Sequence, residues 1–459
     1  MNIQQQPMSR AQAYFAVASA IEQRLAKGLP PMMPLMERLF PICRSITGEG
    51  VRQTLDVIGR MIPLDRTQVA TGTQCFDWEV PREWNIRDAF VANSKGERVI
   101  DFKVHNLHVV NYSAPVDTRL TLDQLQEHLH SLPEQPAAIP YRASYYNEGW
   151  GFCLSHDQRQ RLKDDTYHVK IDSTLAPGVL DYGECRLAGA DPQSVFFSTY
   201  ICHPTLANDQ LSGIVLLGTL MQVLNDLPRR RYTYRGLFAP ETIGVIAFLA
   251  RCADELKDRM KAGYVVTCVG DDGPFTYMRS KRENTAADKA AQHVVPHVAK
   301  AKGRPVSFRQ FDPVGSDERQ YCSPGMNLPV GSLMRSRHGE FAQYHTSLDD
   351  LTFVSEAGLS GTLEAYLRIV QALELNCKPL RTNPNCEPQL GKRGLYSKLV
   401  SSGIEDYQVK ILNILNFADG EHDLIDIADR LRVPVWELVA PLQRLVDADL
   451  IRLEPRQGA

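Results

Sequence analysis

Apolar positions recur at helical spacing over residues 11–26 (AQAYFAVASAIEQRLA) and again over 32–60, where LPPMMP and the turn-like SITGEG interrupt them. From about Thr67 to Val116 the period shortens. FDWEVP, RVIDFK and LHVVNYS set β-branched and aromatic residues between turn signals such as Asn93-Ser94-Lys95-Gly96, which predicts strands. A helical patch (TLDQLQEHLHSL) and a Pro-rich break (EQPAAIPYR) follow, and TYHVKIDSTL with GVLDYGECRL predicts a β-hairpin. Beyond Ser194 strands and helices alternate: SVFFSTYI, DQLSGIVLLGTLMQVLNDL, YTYRGLFA, TIGVIAFLARCADEL and AGYVVTCVG. That alternation predicts βαβ units and a largely parallel sheet covered on both faces. SEAGLSGTLEAYLRIVQALEL closes this domain as a helix, and KPLRTNPNCEPQLGKRG is a polar linker. Over 405–453, three short helices and the apolar strand IRLE predict a winged-helix-like module.

The expected organisation is thus an α/β domain at 1–84 and 141–380, a small β-rich insertion at 85–140, and a winged helix at 395–459. With 459 residues, 43% hydrophobic and 23% charged, the chain has the composition of a multidomain globular protein, which argues against disorder or a coiled coil. Lys plus Arg number 51 against 54 Asp plus Glu, so no broad basic surface for nucleic acid is expected. No apolar run reaches the ~18 residues a bilayer span needs, and MNIQQQPMSR lacks the features of a signal peptide. The ten cysteines form no CxxC pair and are expected as reduced thiols in a cytoplasmic protein without membrane partners.

The chemistry gathers where strands end. Ile201-Cys202-His203-Pro204-Thr205-Leu206-Ala207-Asn208-Asp209 joins a buried strand to a helix, at the edge where open α/β sheets place ligands. Imidazole and carboxylate together suit zinc, although Asp209 or Asn208 could equally cap the helix. Glu241 follows the next strand, where an acid also complements a helix dipole. Asp271 and Asp272 follow another strand, in what could be an ordinary Asp-Gly turn. The last such loop runs from Arg337 to Asp350 and holds His338, Glu340, Tyr344 and His345. Four loops of this kind at one edge favour a metal site over any one of them alone. Arg44 offers a bidentate fork for a substrate carboxylate, or equally a structural ion pair. Tyr145, Tyr146 and Trp150 could stack on a substrate, with packing the simpler reading. His105 and His108 fall in a predicted strand, pointing to opposite faces.

The order of these motifs resembles the zinc-dependent aminopeptidases with a phosphorylase/hydrolase-like fold. More closely, the chain resembles bacterial aminopeptidase-like domain proteins often described as polysaccharide-biosynthesis proteins, which carry a C-terminal winged helix. The resemblance rests on Phe40-Pro41-Ile42-Cys43-Arg44-Ser45-Ile46-Thr47-Gly48, Val80-Pro81-Arg82-Glu83-Trp84-Asn85-Ile86, Trp150-Gly151-Phe152-Cys153, Ile201-Cys202-His203-Pro204, Gly315-Ser316-Asp317-Glu318-Arg319-Gln320 and Tyr344-His345-Thr346-Ser347. It implies a mixed sheet sandwiched by helices and one or two zinc ions. Asp209 would bridge the two ions, with His203 on one and Glu241 and His345 on the other. Asp271 would be a further candidate ligand, and Asp349 or Asp350 would support the ligands or cap a helix. Arg44, Asp317 and Tyr344 would contact substrate.

Two positions depart from the aminopeptidase pattern. The general-base glutamate is replaced by Pro240, and an acid at a strand end is replaced by Cys268. Loss of a general base typically costs ~10²–10⁴ in rate, so Glu241, Glu340 or Asp317 would have to serve instead. The expected function is therefore a zinc-dependent hydrolase of an amide bond in a small peptide or other amine-bearing substrate. The alternatives are a metal-binding protein that recognises such a group without cleaving it, and a ligand-sensing regulator. The third helix of the last domain has one Arg against one Glu and two Asp, with Trp436 expected to be exposed. That favours a protein partner or homo-oligomer contact over DNA.

Overall fold

The computed structural model describes residues 10–227, 229–395 and 406–453. The amino terminus at 1–9 and the parts of the expected winged-helix range at 396–405 and 454–459 lie outside the described residues.

Eight strands form the main sheet: β1 (Asp65–Ala70), β2 (Val179–Leu187), β3 (Asp191–Tyr200), β4 (Tyr232–Ala239), β5 (Met260–Val265), β6 (Phe275–Met278), β7 (Val306–Arg309) and β8 (Val330–Met334). Their spatial order is β1-β2-β4-β3-β5-β8-β6-β7. The four central strands β4, β3, β5 and β8 are mutually parallel, while β1, β2 and the β6–β8 contact are antiparallel. The chain leaves β3 to one side for β4 and returns across it to β5. Such a reversal opens a crevice beyond the carboxyl ends of the strands. Alternation along β3 sends Phe197 into one core, with Ile214, Tyr264 and Tyr366, and Phe196 into the other, with Phe248, Leu237 and Val265. Each fully buried side chain of this size contributes about 1.5–3 kcal/mol, so both helical layers are firmly fixed. Ser212–Asn225 covers the first face and Ile243–Arg259 the second.

The expected hairpin does not form. Thr166–Ala176 pairs with Glu83–Ala92 and Val116–Thr121 in a separate four-stranded antiparallel sheet, whereas β2 pairs with β1 and β4. Tyr167, Val169 and Ile171 are buried in the small sheet's own core, and Leu180 and Tyr182 in the main one. The two runs alternate similarly but serve different cores, and the small β-rich unit extends to Ala176 rather than ending at 140. His105 and His108 are not in a strand either. His105 caps a short 3₁₀ turn, Asn106–His108, that ends in His108, and the two rings lie 6.4 Å apart.

The carboxy-terminal helices are Asp406–Phe417, Leu424–Leu431 and Val439–Asp447. The expected linker supplies a strand of its own, Pro379–Arg381, which pairs antiparallel with Ile451–Leu453. This module is docked on the main domain. Lys289 Nζ lies 2.7 Å from Asp423 and 2.6 Å from Asp426, and His293 Nδ1 lies 2.6 Å from Asp429. Trp436 is half-buried rather than exposed, its ring covered by the Arg368 guanidinium at 4.4 Å. Among the described residues, no helix is long and apolar enough to cross a membrane.

Candidate metal site

β3 ends at Tyr200, and the chain then makes a tight wide-pitched turn, Ala207–Leu211, before the long helix Ser212–Asn225. Gly213 allows this approach, because a Cβ there would lie 2.4 Å from the Val266 carbonyl oxygen. Inside the turn Asp209 is non-helical (φ −106°, ψ 78°). Asp349 holds it there, its two oxygens accepting the backbone N–H of Asn208 (2.7 Å) and of Asp209 (2.8 Å). Neither Asn208 nor Asp209 caps the helix. Asn208 accepts from Gly270 N and donates to Asp271, while the Asp209 side chain points into the crevice and takes the Tyr200 hydroxyl at 2.7 Å.

His345 arrives from the loop after β8, its Nε2 lying 3.0 Å from Asp209 Oδ2. Both atoms are buried, yet neither has a hydrogen-bond partner of ordinary geometry. His345 adopts a left-handed backbone (φ 56°), its carbonyl accepts from Tyr141 N, and its ring stacks on Tyr344 at 3.9 Å. The His203 ring stands 5.6 Å from that of His345, and its Nε2 lies 4.0 Å from Glu241. Ligand atoms of His203, Asp209 and His345 all lie within 4.8 Å of one another, as do those of Cys202, His203 and Glu241.

Electrostatics prepare these groups. Burial pushes His203 down to about 4, so its ring is a neutral donor near pH 7. Burial alone would raise Asp209, but the two imidazoles and the Tyr200 hydroxyl hold it well below the usual carboxylate range. Glu241 is pushed well up by burial and by the neighbouring Asp317 and Asp209 carboxylates. Burial also lifts Asp317 to about 7. Asp317 accepts from Thr242 N at 2.9 Å, and Arg319 reaches Glu241 at 3.7 Å and the Thr242 hydroxyl at 3.0 Å. Thr242 and Cys268, like His345, have positive φ. For such residues this costs of order 1–3 kcal/mol each, and it gathers at the loops following the parallel strands.

Other expected residues lie elsewhere. Arg44 is buried and donates to the carbonyls of Leu39 (2.8 Å), His203 (2.7 Å) and Pro204 (3.0 Å), so its fork is spent on backbone. Asp271 binds Ser336 and Asn208 and belongs to neither ligand group. Asp272 pairs with Arg304, and Asp350 accepts from Thr352. Glu340 pairs with Arg309 and Arg337 at the surface, where its charge is neutralised by cations instead of facing the crevice. Buried Cys268 lies outside both ligand groups. Tyr141, by contrast, went unrecognised in the sequence. Its ring lies 5.1 Å from both His203 and His345, and its hydroxyl meets that of Tyr145. Only the cluster of aromatics at 141–150 hinted at it.

A family described as a domain of unknown function (DUF4910) matches residues 33–376, and a winged helix-turn-helix family matches 378–453. A Clostridium acetobutylicum protein provisionally named polysaccharide biosynthesis protein with aminopeptidase-like domain is 46% identical over 422 residues, covering 91% of this chain and 95% of that one. A crystal structure from the same organism, provisionally described as a peptidase, superposes with a TM-score of 0.87 at 43% identity, covering 95% of this chain and 98% of that one. The zinc aminopeptidase BSAP of Bacillus subtilis (TM-score 0.53, 11% identity, 78% and 94% covered) shares the fold. So does a peptidase M28 precursor of Shewanella amazonensis (0.54, 13%, 79% and 96%). The aminopeptidase-like α/β fold and the carboxy-terminal winged helix thus agree with the matched domains, and the chain belongs to the DUF4910 family.

Proposed function

We propose that the chain is a zinc-dependent hydrolase of an amide bond in a small peptide or other amine-bearing substrate, with zinc held by His203, Asp209 and His345 and with Glu241 beside them. The observation that carries this reading is the pair Asp209 Oδ2 and His345 Nε2. These two buried polar atoms lie 3.0 Å apart, and among the described residues neither has a hydrogen-bond partner of ordinary geometry; both face a neutral His203. Buried polar groups left in this way are costly unless something satisfies them, and two imidazoles with a carboxylate are a zinc donor set. Zinc bound there would supply Lewis-acid polarisation of a substrate carbonyl.

The chain's own residues supply the rest. Pro240 can accept no proton, so the proton-accepting role falls to Glu241, which lies 4.0 Å from His203 and near the Asp317 carboxyl. Glu340 is excluded by its place at the surface. The same two carboxyl groups suit an incoming amine. Tyr141 and Tyr344 lie against the histidine rings, and the Tyr145 hydroxyl meets that of Tyr141. Pro240 equally favours a second reading, in which the site recognises an amine-bearing group without cleaving it. The test is elemental analysis of wild type, His203→Ala and His345→Ala, followed by a screen of aminoacyl amides. Near-stoichiometric zinc lost in both variants is expected. A zinc-free wild type after refolding with added zinc would overturn the site. Zinc without turnover on any aminoacyl or N-acyl amide would select the second reading.

A further inference from the structure

Just after β1 the chain forms a short hairpin, Gln74–Glu79, anchored by Cys75 in the core that the helix Ile243–Arg259 covers. Its two-residue tip carries Phe76 at a left-handed backbone (φ 56°), a place that such hairpins normally give to Asn or Gly. Phe76 is 59% exposed and Trp78 36%, so the tip strains the backbone without burying its rings. Trp78 meets Tyr146 edge-on, with ring centroids 5.1 Å apart at 72°, and Tyr146 is itself 47% exposed. The Arg82–Glu148 ion pair, at 2.7 Å, ties the same two segments together. Trp150 turns elsewhere and stacks on His128 at 3.5 Å. From this corner an aromatic path runs inward. Tyr146 lies 6.2 Å from Tyr145, whose hydroxyl meets that of Tyr141, and the Tyr141 ring lies 5.1 Å from both His203 and His345. Burial raises the Tyr146 hydroxyl, and the Cys202 thiol and the Glu241 and Asp317 carboxyls raise it further. Its ring is thus open to solvent while its oxygen end stands near those two acids.

We propose that the corner of Trp78 and Tyr146 seats a sugar ring whose amino group is directed to Glu241 and Asp317, which makes the substrate an amino sugar. The inference rests on the reading of the crevice as a substrate site and names the chemistry of that substrate. An apolar side chain is held well where walls take most of its surface out of water, as ligand pockets do for ~70–90% of a bound molecule. Two open rings that meet at an angle provide no such walls. A pyranose suits them better, because one C–H face packs on an aromatic ring while its hydroxyls stay hydrated or bond to nearby polar groups. Gln74 and Glu79 of the hairpin, and the Arg82–Glu148 pair, supply such groups. A ring on Tyr146 also carries a substituent past the phenol, to where the two acids stand. An ammonium fits that place through the carboxyls and through the aromatic faces alike.

The test is a saturation-transfer NMR titration of the full chain after treatment with EDTA, with glucosamine, glucose and leucinamide as separate probes. Because no metal is needed, a failure of the zinc site or of turnover leaves the result untouched. Glucosamine is expected to bind saturably and at least fivefold more tightly than glucose. In Trp78→Ala and in Tyr146→Ala, each matched to wild type by thermal melting, its affinity should fall at least fivefold. Trp78→Phe keeps an aromatic face and should recover most of that loss. Phe308→Ala, which removes an exposed ring from the opposite edge strand β7, should change nothing. No saturable binding of glucosamine, or equal weakening in Phe308→Ala, would overturn the seat, and glucose as tight as glucosamine would overturn the placing of the amine. Leucinamide bound more tightly than glucosamine, and lost in Trp78→Ala, would give the corner to an apolar side chain and overturn the sugar.

Discussion

Replacing Arg44 by methionine separates a positioning residue from one that contacts substrate. The guanidinium is buried and donates to three backbone carbonyls, those of Leu39, His203 and Pro204. Hydrogen bonds from a charged donor contribute about 1.5–3 kcal/mol each, or roughly 4–9 kcal/mol gross. Opposing this is the cost of burying the cation. Burial lowers its pKa to about 10, and the neighbours that oppose this are the Cys43 and Cys202 thiols. That desolvation amounts to several kcal/mol, and methionine fills much of the same volume without it. The net loss should therefore be about 2–5 kcal/mol, because three carbonyls are left in an interior closed to water. Urea denaturation of metal-free protein would show it as a lower midpoint with an unchanged slope. Because two of the carbonyls are those of His203 and the next residue, Pro204, zinc affinity should fall as well. Arg44→Lys, with one point charge in place of the fork, should recover only part of both losses. An unaltered midpoint and zinc affinity, with a changed response to substrate alone, would refute this reasoning and return Arg44 to the substrate.

Asp349→Asn removes one of the two acceptors that hold the Asp209 turn, and zinc affinity measured by competition with a chelator should fall roughly 10–100-fold. His105 and His203 are both held neutral by burial, each pushed down to about 4. The unfolded chain takes up their protons first, so metal-free stability should be complete above about pH 6.5 and decline as pH falls towards 4. The loss should reach about 1–2 kcal/mol per ring by pH 5, and urea midpoints across that range would check it. Trp436→Ala should destabilise the docked winged helix by about 1–3 kcal/mol through lost packing and the contact with Arg368. The winged helix should retard no DNA in a gel-shift assay, and saturable, salt-sensitive retention would contradict that expectation.

The parallel core was legible because strands buried on both faces, such as SVFFSTYI and YTYRGLFA, leave long apolar runs between amphipathic helices. Its edge loops were legible for the same reason, since whatever follows such a strand must face the crevice. The pairing of Thr166–Ala176 was not. Period-two alternation records that one face is buried and says nothing of which sheet buries it. The roles of Arg44 and Glu340 could not be read for a related cause. An arginine spent on carbonyls and one that binds a carboxylate look alike in sequence, and Glu340 sits five residues from His345 yet turns to Arg309 and Arg337. Tyr141 reaches the histidines only because Pro140 bridges to Thr346 and Tyr141 N binds the His345 carbonyl, contacts between segments some two hundred residues apart.

Those contacts brace the crevice at the edge where the resemblance to aminopeptidases would place two further acids. Pro240 and Cys268 stand at those positions after β4 and β5 and bring no carboxylate to the surroundings of Asp209. What remains is asymmetric. His203, Asp209 and His345 form one compact donor set, and beside it stand Glu241, raised by burial and by repulsion from Asp317 and Asp209, and Asp317, raised by burial. A glutamate ahead of Glu241 would add a third acid to that repulsion. Proline there adds none, and it packs against Gly244, where a Cβ would come within 2.6 Å of the ring. Proline at 240 therefore offers no proton acceptor of its own, while its contact with Gly244 fixes the backbone leading into Glu241.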